Sequence, residues 1–364
     1  MTFAELLPKT NALGQETGEL IFCSSDEGVR EATKIRPAGK MLFITDGSAL
    51  KAFRACLPPR TLRLVLDSDD CLPLFLSSDD ASIVAAAGQK NTLVAARFFA
   101  QIRKIPCVLF PTSAALDGVF CASDSVRLGE TIAHVPLKEA QVCCDRELLA
   151  PSLGQAYMRL LLARLALIEA KALRGLGVVC GREEAEERAY KALLPIKCKT
   201  LDFEDVALKN AQIRKCEREG MAAGEGIRLA QEFGRGGEEQ AFFLLSALYA
   251  AFFWKGKPRL QVPDYAARAK AAGVAYAAQR VPTLPEFARR SALLERIRAE
   301  ILQELNALSE GETHFKTNFY ALTAQAPVEV RSIAPLINLP EKTAGLCAVM
   351  RDFGLMEWKE EDIF

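Results

Sequence analysis

Short apolar runs alternate with helical stretches over the first 150 residues, and this rhythm constrains the chain more than any other feature. Glu19–Cys23, Lys40–Ile44, Leu62–Leu66, Ala81–Ala86, Pro106–Phe110 and Ala140–Cys144 each read as a strand. Helical pieces such as Gly47–Ala55 and Thr92–Ile105 lie between several of them. A βαβ rhythm predicts a mostly parallel sheet with helices on both faces. Sheets of that kind bind ligands outside the carboxyl ends of their strands.

After residue 150 the pattern changes. Leu153–Arg174, Gln212–Phe233, Glu238–Trp254 and Pro263–Gln279 read as long helices. Thr283-Leu284-Pro285-Glu286 opens another, with Thr as N-cap and an early Pro, and it continues to about Leu308. Leu339-Pro340-Glu341 opens the last, which stops near Gly354. No strand of comparable strength stands out in this half. The expectation is an α/β domain over residues 1–150 and an all-helical domain over 151–364. The chain has 364 residues, half of them hydrophobic, enough for a core in each.

Composition narrows the partners. Lys plus Arg equals Asp plus Glu, 46 against 46, so no long-range field attracts polyanions and nucleic acid is not expected. Ala156–Ile168, the most apolar helical stretch, carries Arg159 and Arg164 and is too short to span a bilayer, so no membrane is expected. Met1–Thr10 lacks a basic region followed by an apolar one, and the chain holds eleven cysteines with no Cys-x-x-Cys pair. That combination predicts free thiols in the cytoplasm. Adjacent Cys143 and Cys144 read as small residues on a buried strand rather than as a redox pair.

The segment 85–126 carries the candidate chemistry. Its strand runs into Ala87-Gly88-Gln89-Lys90-Asn91 and then a helix from Thr92. Such a turn presents unpaired backbone N–H groups and the positive end of the helix dipole to a phosphate. One glycine does not by itself separate a phosphate site from an ordinary βα turn. The next strand leads to Pro111-Thr112-Ser113-Ala114-Ala115-Leu116-Asp117-Gly118, whose hydroxyls suit the same crevice.

Here a family resemblance enters. Pro111–Gly118 resembles the Pro-Thr-x-x-Ser-x-Asp-Gly stretch of sn-glycerol-1-phosphate dehydrogenases, with Ala115 at the Ser. Gly88–Arg97 is similar to their Gly-Ser-Gly-Thr-x-x-Asp-x-x-Lys loop and helix, and Val328–Trp358 to their last helices. That family belongs with glycerol dehydrogenases, iron-containing alcohol dehydrogenases and dehydroquinate synthases. The resemblance implies a dehydroquinate synthase-like fold: an N-terminal Rossmann-like parallel-sheet domain, a C-terminal all-helical domain and a cleft between. It implies that Gly88, Gln89, Lys90, Asn91 and Thr92 lie where the pyrophosphate of NAD(P) is held. Thr112 and Ala115 match cofactor positions, Asp117 a substrate position, and Asp46 a strand end that accepts from an adenosine ribose. Only Gly88 of the loop glycines remains, and Val94 replaces the helix Asp. Side chains on Gln89 and Lys90 obstruct close backbone approach, although Lys90 could offer a charge to phosphate. The expectation is weak NAD(P) binding at most.

The family also holds one zinc, through an Asp and two His, which polarises the ketone of dihydroxyacetone phosphate. At the matching places stand Leu153-Gly154-Gln155, with Arg159 where a Lys is usual, Gly237-Glu238-Glu239-Gln240, and Pro258-Arg259-Leu260-Gln261. Neutral amides are poor zinc ligands, and the two histidines, His134 and His314, fall elsewhere. No zinc or iron is therefore expected, and Asp117, Gln155, Arg159, Gln240 and Gln261 would line a polar substrate cleft. A rescue through Glu238, Glu239 and Asp264 would favour magnesium or calcium. Three readings stay open. One is a non-catalytic homologue that binds a nucleotide or a phosphorylated small molecule. Another is an active NAD(P)-dependent polyol or polyol-phosphate dehydrogenase with an altered site, where Lys90, Tyr157 or Lys255 could act as the acid. The third is a scaffold whose glutamines serve only as hydrogen-bond partners. A homo-oligomer is compatible with each.

Overall fold

The computed structural model describes residues 20–35, 39–47, 49–66, 68–77, 80–175, 181–193 and 203–221, with short pieces at 284–285, 288–289, 292, 303, 328–331 and 356–359. Six strands form one parallel sheet: β1 (Leu20–Phe22), β2 (Lys40–Thr45), β3 (Leu62–Val65), β4 (Ala81–Gly88), β5 (Cys107–Pro111) and, after a hairpin of β6 (Ser123–Leu128) and β7 (Thr131–Pro136), β8 (Gln141–Cys144). Their order is β1-β8-β5-β4-β2-β3, with every neighbouring pair parallel. Helices α1 (Ser25–Ile35), α2 (Leu50–Phe53), α3 (Leu72–Ser77) and α4 (Lys90–Arg103) connect them.

The sheet is apolar on both faces, as a parallel sheet covered on both sides must be. On one face Met41, Phe43, Ile83, Ala85, Ala87, Val108 and Phe110 pack against Val29 and Ala32 of α1 and Phe53 of α2. Phe53 sits with its ring centroid 5.0 Å from Phe43 and 4.9 Å from Phe110. The alternate residues Leu42, Ile44, Val84, Ala86, Leu109 and Val142 point to the other face and are also buried. The alanine run of β4 keeps the central strand thin, and α4 packs on β4 and β5.

The β6–β7 hairpin stands outside the sheet and escapes the sequence reading. Its residues alternate too weakly: Val126 alone among them is buried and Ile132 is 70% exposed. Asp70 anchors it, accepting from the N–H of Gly129 and of Leu72, both at 2.9 Å. Those two bonds hold the Asp70 carboxyl below the usual carboxylate range.

Further on come α5 (Arg146–Leu149), α6 (Leu153–Gly175), α7 (Glu183–Leu193) and α8 (Phe203–Arg218). The helix expected at Gln212–Phe233 begins nine residues earlier, and the turn at Glu219–Gly220 ends it where a glycine commonly closes a helix. By compactness one unit comprises Met1–Tyr157 with Leu201–Glu219, and the other Met158–Thr200 with Gly220–Phe364. The fold class is α/β, with a Rossmann-like sheet and helices. One local correction applies to the half read as all-helical: β9 (Val328–Arg331) and β10 (Met356–Lys359) pair in parallel, Met356 opposite Val328. Val-Glu-Val-Arg and Met-Glu-Trp-Lys both alternate with period two, the strand signal that the helical pattern around them obscured. The helices expected at Glu238–Trp254, Pro263–Gln279 and Leu339–Gly354 lie outside the described residues. Among the described residues, no helix is long and apolar enough to cross a membrane.

Candidate functional site

Strand order locates the site. From β2 the chain moves outward to the edge strand β3, then returns to β4 on the other side of β2 and proceeds to β5. Connections therefore diverge between β2 and β4. At such a switch point a crevice opens outside the carboxyl ends of the strands. Thr45-Asp46 leaves one of these ends and Gly88-Gln89 the other.

These two ends meet through a carboxylate. Asp46 Oδ2 accepts the backbone N–H of Gln89 at 2.8 Å. A Cβ on Gly88 would lie 2.6 Å from that oxygen, 2.9 Å from Asp46 Cγ and 3.1 Å from Thr92 Cβ. Only glycine lets the carboxylate approach this closely. Gln89 is the N-cap of α4, with an extended backbone and no side-chain capping bond. A protein carboxylate thus answers the first donor of α4, the feature that would otherwise favour an anion.

The rest of the α4 entrance is equally committed. Lys90 Nζ pairs with Asp124 on β6 at 2.9 Å, so its charge is directed to the hairpin rather than held for phosphate. Asn91 is exposed, and Thr92 is buried beneath the turn. Gly118, at φ +74°, rests on the first turn of α4, where a Cβ would lie 2.8 Å from the carbonyl oxygen of Lys90. Val94 is buried beside it.

The loop after β5 lies alongside. Thr112 N donates to the carbonyl of Gly88 at 3.1 Å. Its hydroxyl Oγ1 is buried and finds no hydrogen-bond partner among the described residues. An unmet buried hydroxyl costs about 1–3 kcal/mol, which a hydrogen-bonding group that reached it would recover. Leu116 is wholly buried in the left-handed region at φ 55°, uncommon for a branched residue, and donates to the carbonyl of Ser113 at 3.0 Å. Ala115, also buried, offers no side-chain donor where the family resemblance expects Ser.

Three residues that sequence reading did not single out hold this loop. Arg214 on α8 donates to Asp117 Oδ1 at 2.7 Å and to the carbonyl of Ala115 at 3.4 Å. Asp117 is therefore engaged in an ion pair within the sheet unit. Ser152 accepts from Ala114 N at 2.8 Å. Arg97 of α4, 2% exposed, uses all five of its N–H donors: two bonds to the carbonyl of Lys138, one each to the carbonyls of Gly118 and Cys121, and one to Cys121 Sγ.

Gln155 stands exposed in the first turn of α6 and Arg159, one turn on, is half-buried and partnered. Gln240 and Gln261 lie outside the described residues. An amide in place of a carboxylate or imidazole does not fit a zinc site. For NAD(P), Gly88 and Thr112 fit a cofactor loop, whereas the Asp46 carboxylate on the Gln89 N–H opposes a pyrophosphate.

No protein-family model matches the chain, and no curated protein matches its sequence. Solved structures with a similar chain path include glycerol dehydrogenase from Schizosaccharomyces pombe, 12% identical over 84% of this chain and 91% of that one, with a TM-score of 0.46. Maleylacetate reductase from Rhizobium sp. strain MTP-10005 is 15% identical over 93% and 96%, with a TM-score of 0.49. Sulfoacetaldehyde reductase from Bifidobacterium kashiwanohense, in complex with NAD+, is 10% identical over 92% and 96%, with a TM-score of 0.44. At these values the likeness carries no functional argument, and the site stands on this chain's own residues.

Proposed function

We propose that this chain is a non-catalytic, metal-free relative of the sn-glycerol-1-phosphate dehydrogenase type that binds a nucleotide or a phosphorylated small molecule weakly. The observation that carries the reading is the topological switch point between β2 and β4, with Gly88 at the carboxyl end of β4 and the unmet Thr112 hydroxyl at the end of β5. Its position is where open α/β sheets take ligands. The Asp46 carboxylate on the Gln89 N–H supports weak rather than tight phosphate binding. Glutamines at the three ligand positions of the resembled family support the lack of metal and of hydride transfer.

The test is turnover together with metal content. Protein purified without chelator should carry no stoichiometric zinc or iron. It should not oxidise NADH or NADPH with dihydroxyacetone phosphate, with or without added zinc. A bound metal supplies several kcal/mol of transition-state stabilisation, and each ~1.4 kcal/mol is tenfold in rate, so its loss removes orders of magnitude. Robust turnover would instead assign the chain as an active NAD(P)-dependent oxidoreductase with a rearranged site.

A further inference from the structure

The sheet has a second opening at the end opposite the crevice. There a cavity of about 300 Å³ lies under the last turn of α4 and the starts of β5 and β8. That volume is at the lower end of the range for small-molecule sites. Ala100, Ile105 and Pro106 give it apolar walls, while Arg97, Gln101, Lys104, Lys138 and Glu139 supply the polar lining.

The charges do not balance. Arg97 brings a buried positive charge with every donor already in use. Glu139 is the only carboxylate in the lining among the described residues, and Arg218 already pairs with it at 2.5 Å. The ammonium groups of Lys104 and Lys138 have no hydrogen-bond or ion-pair partner among the described residues. The carbonyls at the end of α4 would repel an anion, but those of Ala100 and Gln101 accept the N–H of Ile105 at 3.0 Å and of Lys104 at 3.2 Å. Gln101 holds the floor in place: its Oε1 accepts from Lys138 N at 2.8 Å and its Nε2 donates to the carbonyl of Pro136 at 3.1 Å.

We propose that this cavity binds a small dianion, a phosphate ester or a dicarboxylate, against Lys104 and Lys138. Lys104 and Lys138 are both solvent-exposed residues of the lining, and an anion seated between them would draw on two charges at once. Arg97, in the same lining, bonds the carbonyls of Gly118 and Cys121.

The experiment titrates the full chain calorimetrically with inorganic phosphate and, separately, with malonate, at constant ionic strength. The expected result is saturable binding of at least one and a raised thermal midpoint. Lys104→Gln with Lys138→Gln should weaken that binding at least tenfold and leave the midpoint without anion unchanged. Lys104→Arg with Lys138→Arg should retain it. Binding of one anion and not the other identifies which dianion the cavity takes. Absence of saturable binding for both, or binding that the double Gln variant leaves intact, overturns the proposal.

Discussion

Arg97 shows what a single residue does in this chain. A guanidinium buried without a facing carboxylate is costly unless every donor is met, and three backbone carbonyls and a sulfur meet this one. Arg97→Met should leave the carbonyls of Gly118, Cys121 and Lys138 unpaired and lower stability by about 3 kcal/mol or more in urea denaturation. A loss below about 1 kcal/mol would show that those carbonyls find other partners. The buried thiols carry a second expectation. Burial pushes Cys71 up to about 11 and Cys107 up to about 12, and raises Cys144 further. A hydrogen bond with Cys23, then burial, raises Cys143 well above its ordinary 9.0. Unfolded thiols ionise near that ordinary value while the folded ones remain protonated. Stability from this source is full below about pH 9 and declines as pH climbs toward the folded values. Urea midpoints at about pH 8 and about pH 10.5 should differ for this reason, and Cys107→Ala with Cys144→Ala should shrink the difference. An unchanged difference would place the alkaline loss on other groups.

At the scale of elements, helix entrances are where this fold is secured. Asp145, 8% exposed at the end of β8, caps α5 through Glu147 N at 2.9 Å. The same carboxylate accepts from both Ser25 N at 2.6 Å and Ser25 Oγ at 2.5 Å, at the start of α1. One side chain thus closes two helices on adjacent strands. Asp145→Ala should cost about 2–3 kcal/mol, above a single cap, while Ser25→Ala should cost about 1 kcal/mol, both by denaturation. Equal costs would mean that the two caps are independent. The bond from Asp145 to Ser25 spans 120 residues, and no local sequence pattern marks it. The same limit explains Arg214 and Asp117, which are 97 residues apart. The six sheet strands were legible because parallel strands are apolar on both sides. The β6–β7 hairpin was not, since solvent reaches most of its residues and no periodic burial marks it. Asp46, Gly88, Gln89 and Thr112 were legible as strand-end residues, but the hydrogen bond that commits Asp46 to Gln89 depends on β2 and β4 lying side by side.

For the whole molecule, the central claim is that the switch-point crevice binds a phosphorylated ligand weakly, with Asp46 opposing the phosphate and the Thr112 hydroxyl supporting it. The direct measurement is calorimetric titration of the full chain with NADH and NADPH, repeated on Asp46→Asn and Thr112→Val. The unaltered protein should bind with a Kd weaker than about 1 μM, on the order of −8 kcal/mol. Asp46→Asn removes the opposing charge and should tighten binding about fivefold to tenfold, worth about 1–1.4 kcal/mol. Thr112→Val removes the unmet hydroxyl and should weaken binding by a similar factor. Micromolar or tighter binding by the unaltered protein, or weaker binding by Asp46→Asn, would contradict the account.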